Sequence, residues 1–295
     1  MSDFSFFKRL FGQKTPGDDQ PQNVCPQSAD DLPILLWIIL PAWILAWFVV
    51  NPPHGVDIDI ARLIASADLA SQIDTVLGSG GRPFLHVVSK WTTIVLASAA
   101  LITLVPLLIW KKRAHQPCSC DIVRRLVYFL AAVGICVAVV SFLKQTTGVF
   151  CPNNTVVLGG TEPVTSPVFG LTLRPGKCWP GGAAGSGFCL FALFFALRLS
   201  RANLILALAL GSISGFERMT SGLHFISHNI VSLLVDWLIC AALYRLFFVK
   251  VNFLEALKKS CSQGLASAAA ITFMTLWWVV IFNGPTLWHT ASIGG

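Results

Sequence analysis

Seven long apolar runs, nearly free of charge, decide what this chain can fold into. They are Leu32–Val50, Trp91–Trp110, Leu126–Leu143, Gly185–Leu197, Leu204–Phe216, Ile226–Val249 and Gly264–Phe282. A helix of about 20 apolar residues crosses the hydrocarbon of a bilayer. Inside lipid each segment must satisfy its own backbone N–H and C=O groups, which a helix does. The whole chain is 55% hydrophobic and 12% charged, with a mean hydropathy of +0.70. A soluble domain carries about twice that charge. The fold expected is therefore all-α, a polytopic membrane helix bundle with a six-helix core and a seventh, C-terminal span. The fourth and fifth runs are short for a bilayer, so the polar residues that border them complete those helices.

Charge orders these spans. The net charge is +7, with 21 basic residues. Such a balance alone suits nucleic acid, but its distribution does not. With the N-terminus in the cytoplasm, fourteen of the 21 fall on the cytoplasmic side, including Lys111-Lys112-Arg113, Arg124-Arg125 and Lys258-Lys259. That asymmetry fixes orientation, and no nucleic-acid partner is expected. The chain divides into a mobile cytoplasmic tail over 1–31, a membrane domain over 32–250, and a linker with an additional span over 251–295. No cleaved leader is expected, because the first apolar run is long enough to span. Oligomeric state is not legible. Between the first two spans, Asp57 to Leu77 is periodic, with Ile60, Leu63, Ile64, Ala67 and Ile73 on one face. This fits either an amphipathic helix on the outer membrane surface or an ordinary connector.

The residues able to do chemistry gather on the extracytoplasmic side. Lys144 ends the third span and is followed by Cys151-Pro152; Pro180-Gly181-Gly182-Ala183 opens the fourth; Arg218, His224 and His228 lie around the start of the sixth. Lys offers a mobile point charge and Arg a fixed fork of donors, and both suit a phosphate. Each alone reads as well as a snorkelling residue at the membrane edge. Gly181 and Gly182 let backbone N–H groups approach an anion at a helix start. His224 and His228, four apart, project from one face of the sixth helix's start. Three readings follow, in this order: a nucleophile with its partner, interfacial histidines, or a metal pair. No carboxylate cluster supports the metal, and no metal or cofactor is expected. The loop from Phe150 to Gly182 also holds Arg174 and Lys177, which could supply further phosphate contacts. His86 and Lys90, at the outer end of the second span, could face the same cavity. Cys151 and Cys178 share the loop, and an oxidising compartment permits their pairing. A disulfide is favoured over two free thiols. Asp236, inside the sixth span, reads as structural or as a headgroup contact.

This layout resembles the type 2 phosphatidic acid phosphatase superfamily, whose pattern is Lys-x6-Arg-Pro, then Pro-Ser-Gly-His, then Ser-Arg-x5-His-x3-Asp. Here Cys151 stands at the Arg, Ala183 at the second-motif His, Glu217 at the Ser and His228 at the Asp. The resemblance implies that His224 attacks phosphorus to form a phosphohistidine and that residue 228 orients its ring. It implies that Lys144 and Arg218 hold the phosphate, with Arg174 or Lys177 standing in for the missing Arg. The family His at position 183 protonates the leaving alcohol, which Ala183 cannot do. The intact flanks, Cys178-Trp179-Pro180-Gly181-Gly182 and Ala184-Gly185-Ser186, read as an otherwise active motif that has lost one side chain. The function implied is a lipid phosphatase acting on a lipid phosphate or diphosphate in the bacterial inner membrane, crippled at Ala183. A lipid-to-lipid phosphotransferase and a non-catalytic lipid-phosphate binder or transporter are the alternatives.

Overall fold

The computed structural model describes residues 34–65, 81–114, 120–167, 176–197 and 199–249. Eight helices are present among them: α1 (Leu35–Val50), α2 (His54–Ile64), α3 (Gly81–Ala114), α4 (Cys120–Thr146), α5 (Gly182–Phe188), α6 (Phe191–Ala196), α7 (Arg201–Thr220) and α8 (Ile226–Phe248). Two short 3-10 turns, Pro152–Asn154 and Val156–Leu158, lie between α4 and α5. No strand occurs among the described residues. The seventh run, Gly264–Phe282, and the tail over 1–31 lie outside them.

Val87–Pro106, Asp121–Thr146 and Ile226–Phe248 are each long and apolar enough to cross a membrane. These are the cores of α3, α4 and α8, so the protein is a helical membrane protein. α1 passes the same test only together with α2, from which it is bent by 85°. Asn51-Pro52-Pro53 causes that bend, since proline removes a donor and fixes φ. α7 has 20 residues and so extends about 30 Å, longer than the run Leu204–Phe216 that marks it in sequence.

The fourth run departs most from expectation. It is not one helix but two, α5 and α6, broken at Cys189-Leu190. The pair sits at the centre, packed by α3, α4, α7 and α8. Phe188, Cys189, Leu190, Phe191, Phe194 and Phe195 are all buried, as a segment apolar on every side should be. α5 and α7 meet backbone to backbone. A Cβ on Gly187 would stand 2.3 Å from the Gly211 nitrogen, and one on Gly211 would stand 2.2 Å from the Phe188 ring. Small residues permit such approach between helices in lipid. α1 joins the bundle through α8: the Trp237 indole N–H donates to the Trp37 carbonyl at 2.9 Å, and both rings pack on Phe194 and Phe195. On α4, Tyr128 donates to the Cys240 carbonyl of α8 at 2.9 Å. The outward apolar side chains Ile102, Phe142, Ile205 and Leu246 are exposed, which suits contact with lipid.

α2 packs one side against α7 and α8. Its buried side chains are Asp57 and Ala61, one turn apart, whereas Leu63 is 71% exposed. Ala67 and Ile73 lie outside the described residues. Of the apolar face read in the sequence, Leu63 is exposed and Ile60 and Ile64 are half-buried. The buried carboxylate has a partner on α8, described below.

Candidate active site

Four helix ends meet at one end of the bundle: the C-terminus of α4, the N-terminus of α5, the C-terminus of α7 and the N-terminus of α8. Short polar ties hold them together. Thr147, just past α4, donates its hydroxyl to the Leu143 carbonyl at 2.8 Å and to the Trp179 carbonyl at 3.0 Å. This brings Lys144 against the start of α5. A Cβ on Gly182 would stand 3.1 Å from Lys144 Nζ, so any larger residue there would displace the ammonium.

The five residues between Arg218 and His224 form a helix stop. The Leu223 N–H donates to the Arg218 carbonyl and the Gly222 N–H to the Met219 carbonyl, both at 2.9 Å. That pair of bonds is a Schellman motif. It needs a left-handed residue, and Gly222 has φ +66°. The Asn153 N–H donates to the Gly222 carbonyl at 2.9 Å, which fastens the loop after Lys144 to the same turn. Cys151 and Cys178 are joined by a disulfide, with Cα atoms 5.2 Å apart and the two cysteines 27 positions apart in sequence. In the chain-entropy account, closing a loop of this size stabilises by ~3.5 kcal/mol. The Cys151→Ser/Cys178→Ser double variant should lose about that much, read by denaturant unfolding in detergent. Treatment with reductant should destabilise the parent and leave the double variant unchanged.

Lys144, Arg218 and His224 lie within electrostatic reach of one another. Burial pushes the His224 imidazole well below its usual pKa, and the charges of His228, Lys144 and Arg218 push it the same way, against the Cys178 carbonyl. His224 is therefore a neutral base at pH 7. Arg218 also meets its neighbour: its Nε stands 3.2 Å from Glu217 Oε2, with Glu217 buried. Ala183, second residue of α5, is half-buried.

Several expectations need correction here. His224 and His228 are in contact, with ring centroids 5.8 Å apart at 67°, but no hydrogen bond joins them and Nδ1 of each ring has no protein partner among the described residues. Their spacing of four is not one helical turn. α8 begins at Ile226 with Phe225 as its N-cap, so His224 stands before the helix and His228 within its first turn. Gly181 cannot serve as an anion donor, because its N–H already donates to the His228 carbonyl at 3.0 Å. Its role is close packing: a Cβ there would stand 2.5 Å from Asn229 Oδ1. Gly182 keeps the position beside Lys144. Lys177 and Lys90 are exposed. Arg174 lies outside the described residues. His86 falls on α3, three residues before Ser89, whose hydroxyl is 3.3 Å from that of Ser186 on α5. No group of three metal-ligating side chains occurs among the described residues. Asp236 is fully buried against α5, where a Cβ on Gly185 would stand 3.4 Å from its Oδ2. This favours its structural reading.

Sequence reasoning missed three residues. Asn229 is wedged between Gly181 and Gly215. Asp57 accepts from Ser227: the backbone N–H donates to Oδ1 at 3.0 Å and the hydroxyl to Oδ2. No local pattern in the sequence announces the pairing of Asp57 with Ser227, which lie 170 residues apart.

Residues 125–252 match the family model of the PAP2 superfamily. That segment runs from the first turns of α4 past the end of α8 and contains Lys144, Cys151, Cys178, Gly182, Ala183, Arg218, His224 and His228. No curated protein and no solved structure matches the chain.

Proposed function

Residues 125–252 belong to the PAP2 superfamily, and from that membership and the meeting of Lys144, Arg218 and His224 we propose a lipid phosphatase that works through a phosphohistidine. Phosphatase-type chemistry on phosphate esters follows from the family at the coarse level. The finer reading rests on the site. Lys144 and Arg218 hold the phosphoryl oxygens and offset their charge as it redistributes. The His224 ring nitrogen attacks phosphorus, an N–P bond forms, and the P–O bond to the leaving group breaks with its electron pair on that oxygen, which takes a proton from solvent because Ala183 supplies none. Water then attacks phosphorus and gives up a proton to solvent as the N–P bond breaks, which returns neutral His224 and inorganic phosphate.

The observation that carries this reading is the convergence of two cations on a buried imidazole held neutral by its surroundings. A lipid phosphate or diphosphate is the natural substrate, because the site sits at the end of a membrane bundle. The excess of Lys and Arg in the segments flanking the opposite end supports an extracytoplasmic site in a plasma or bacterial inner membrane. In a phosphotransferase a second lipid would replace water in the last step. Ala183 favours one further reading, a binder of lipid phosphates that does not turn them over.

The test is phosphate release by the full-length chain carrying Ala183→His, purified in detergent with a chelator present. Release from phosphatidate or a polyprenyl diphosphate supports the enzyme. Tight binding of those lipids with no release, in both the parent and the variant, supports the binder.

A further inference from the structure

The first turn of α8 carries His228, and its capping breaks a local rule. Helix starts leave N–H groups without intrahelical acceptors, and Ser, Thr, Asp or Asn at the N-cap usually meets them. Here the N-cap is Phe225, with no side-chain cap bond. The acceptor comes from 170 residues away, where both oxygens of Asp57 bind Ser227, the second residue of α8. Asp57 is 2% exposed and Ser227 5%. A buried carboxylate is costly unless hydrogen bonds satisfy it, and one at a helix N-terminus also meets the positive end of the helix dipole.

What this anchor controls is the next residue. The His228 N–H donates to the Phe225 carbonyl at 3.2 Å, and the His228 ring meets the Phe225 ring edge-on at 5.3 Å. Phe225 in turn follows His224 directly. Asp57, Ser227 and His228 line one small crevice together with His54, Thr165 and Trp179. His54, one turn before Asp57 on α2, bonds Ser166 through Nε2 at 3.0 Å, so α2 is tied at once to α8 and to the loop that follows the first motif. α2 precedes the segment that matches the family.

We infer that Asp57 is a positioning residue for phosphoryl transfer: by anchoring the first turn of α8 through Ser227, it sets the His228 ring and, across Phe225, the His224 ring. The inference rests on the proposed phosphatase reading. A small misplacement of reacting groups costs up to about a hundredfold in rate. The effect of losing the anchor falls on kcat rather than on KM, because Lys144 and Arg218, which hold the phosphate, lie on α4 and α7.

The experiment uses the full-length chain with Ala183→His, assayed on a lipid phosphate, with rates expressed per folded molecule. Asp57→Ala is expected to lower kcat about tenfold or more with KM within about threefold. Asp57→Asn keeps an acceptor for the Ser227 N–H and is expected to recover most of the loss. An unchanged kcat per folded molecule in Asp57→Ala, with only a lower melting temperature, overturns the inference. If Asp57→Ala does not fold, ring nitrogen NMR on Ser227→Ala decides, since that variant removes the hydroxyl bond to Asp57: the His228 and His224 resonances should move, and unmoved resonances overturn the inference. The same NMR comparison applies if Ala183→His releases no phosphate from any lipid. That failure would belong to the phosphatase reading, and the resonances would still report the anchor.

Discussion

Ala183→His is expected to raise turnover of lipid phosphate monoesters by about two orders of magnitude or more, the usual contribution of a positioned general acid. Breaking the bond to a lipid alcohol leaves electron density on an oxygen that is a poor leaving group unless it gains a proton. Position 183 is half-buried on the first turn of α5, one residue from the glycine against which Lys144 packs. The geometry around it does not depend on the side chain at 183. Gly181 donates to His228 and accepts from Ser232 at 2.9 Å, and Ala184 packs behind Gly215. None of these contacts involves the Ala183 side chain. Single-turnover phosphate release with parent and variant measures the gain. The leaving group offers an internal control. With an electron-poor aryl phosphate, whose leaving oxygen needs no proton, the gain should shrink towards unity. Equal inactivity of both proteins on every substrate would favour the binder.

The sequence carried the parts of this structure that depend on composition and spacing. Uncharged runs marked α3, α4 and α8, because lipid leaves a chain few alternatives to a helix. The interval from Arg218 to His224 was legible as a motif, and its physical content is the Schellman turn at Gly222. What was not legible depends on contacts distant in sequence. Gly185–Leu197 reads as one continuous apolar run, yet the helix breaks after Phe188, directly past the point where Gly187 is pressed onto Gly211. Gly181 and Gly182 read alike, but the His228 carbonyl takes the N–H of the first while Lys144 packs against the second. Asp57 enters the sequence only as the start of a periodic segment, and carboxylates are rarely buried unless paired. Its partner lies in the first turn of α8 and no local pattern announces it. The two histidines are the instructive case. Four residues apart suggests one helical face, but the turn that ends α7 delays the start of α8 until after His224.

In the Ala183→His background, His224→Ala should abolish turnover while leaving the fold intact. His224 is the one imidazole among the described residues within electrostatic reach of both Lys144 and Arg218. His224→Asn should be equally inactive, because a side-chain amide lacks the ring nitrogen that attacks phosphorus. His228→Ala should fall in between. Its ring touches His224 without a hydrogen bond, so its loss disturbs packing and orientation rather than bond formation. The pH profile carries an independent sign. A protonated imidazole cannot attack, so activity should be lost as pH falls through the folded pKa of His224. Burial and the neighbouring cations place that value well below 6.5. The rate should hold as pH drops through 6.5 and fail only at distinctly lower pH. Chelators should have no effect. Steady-state phosphate release, together with acid-labile, base-stable labelling of the protein by radiolabelled substrate, would report both turnover and the covalent step. Substantial turnover or retained labelling in His224→Ala would remove the phosphohistidine route, and loss of activity with chelator reversed by one metal ion would replace it with metal-assisted hydrolysis.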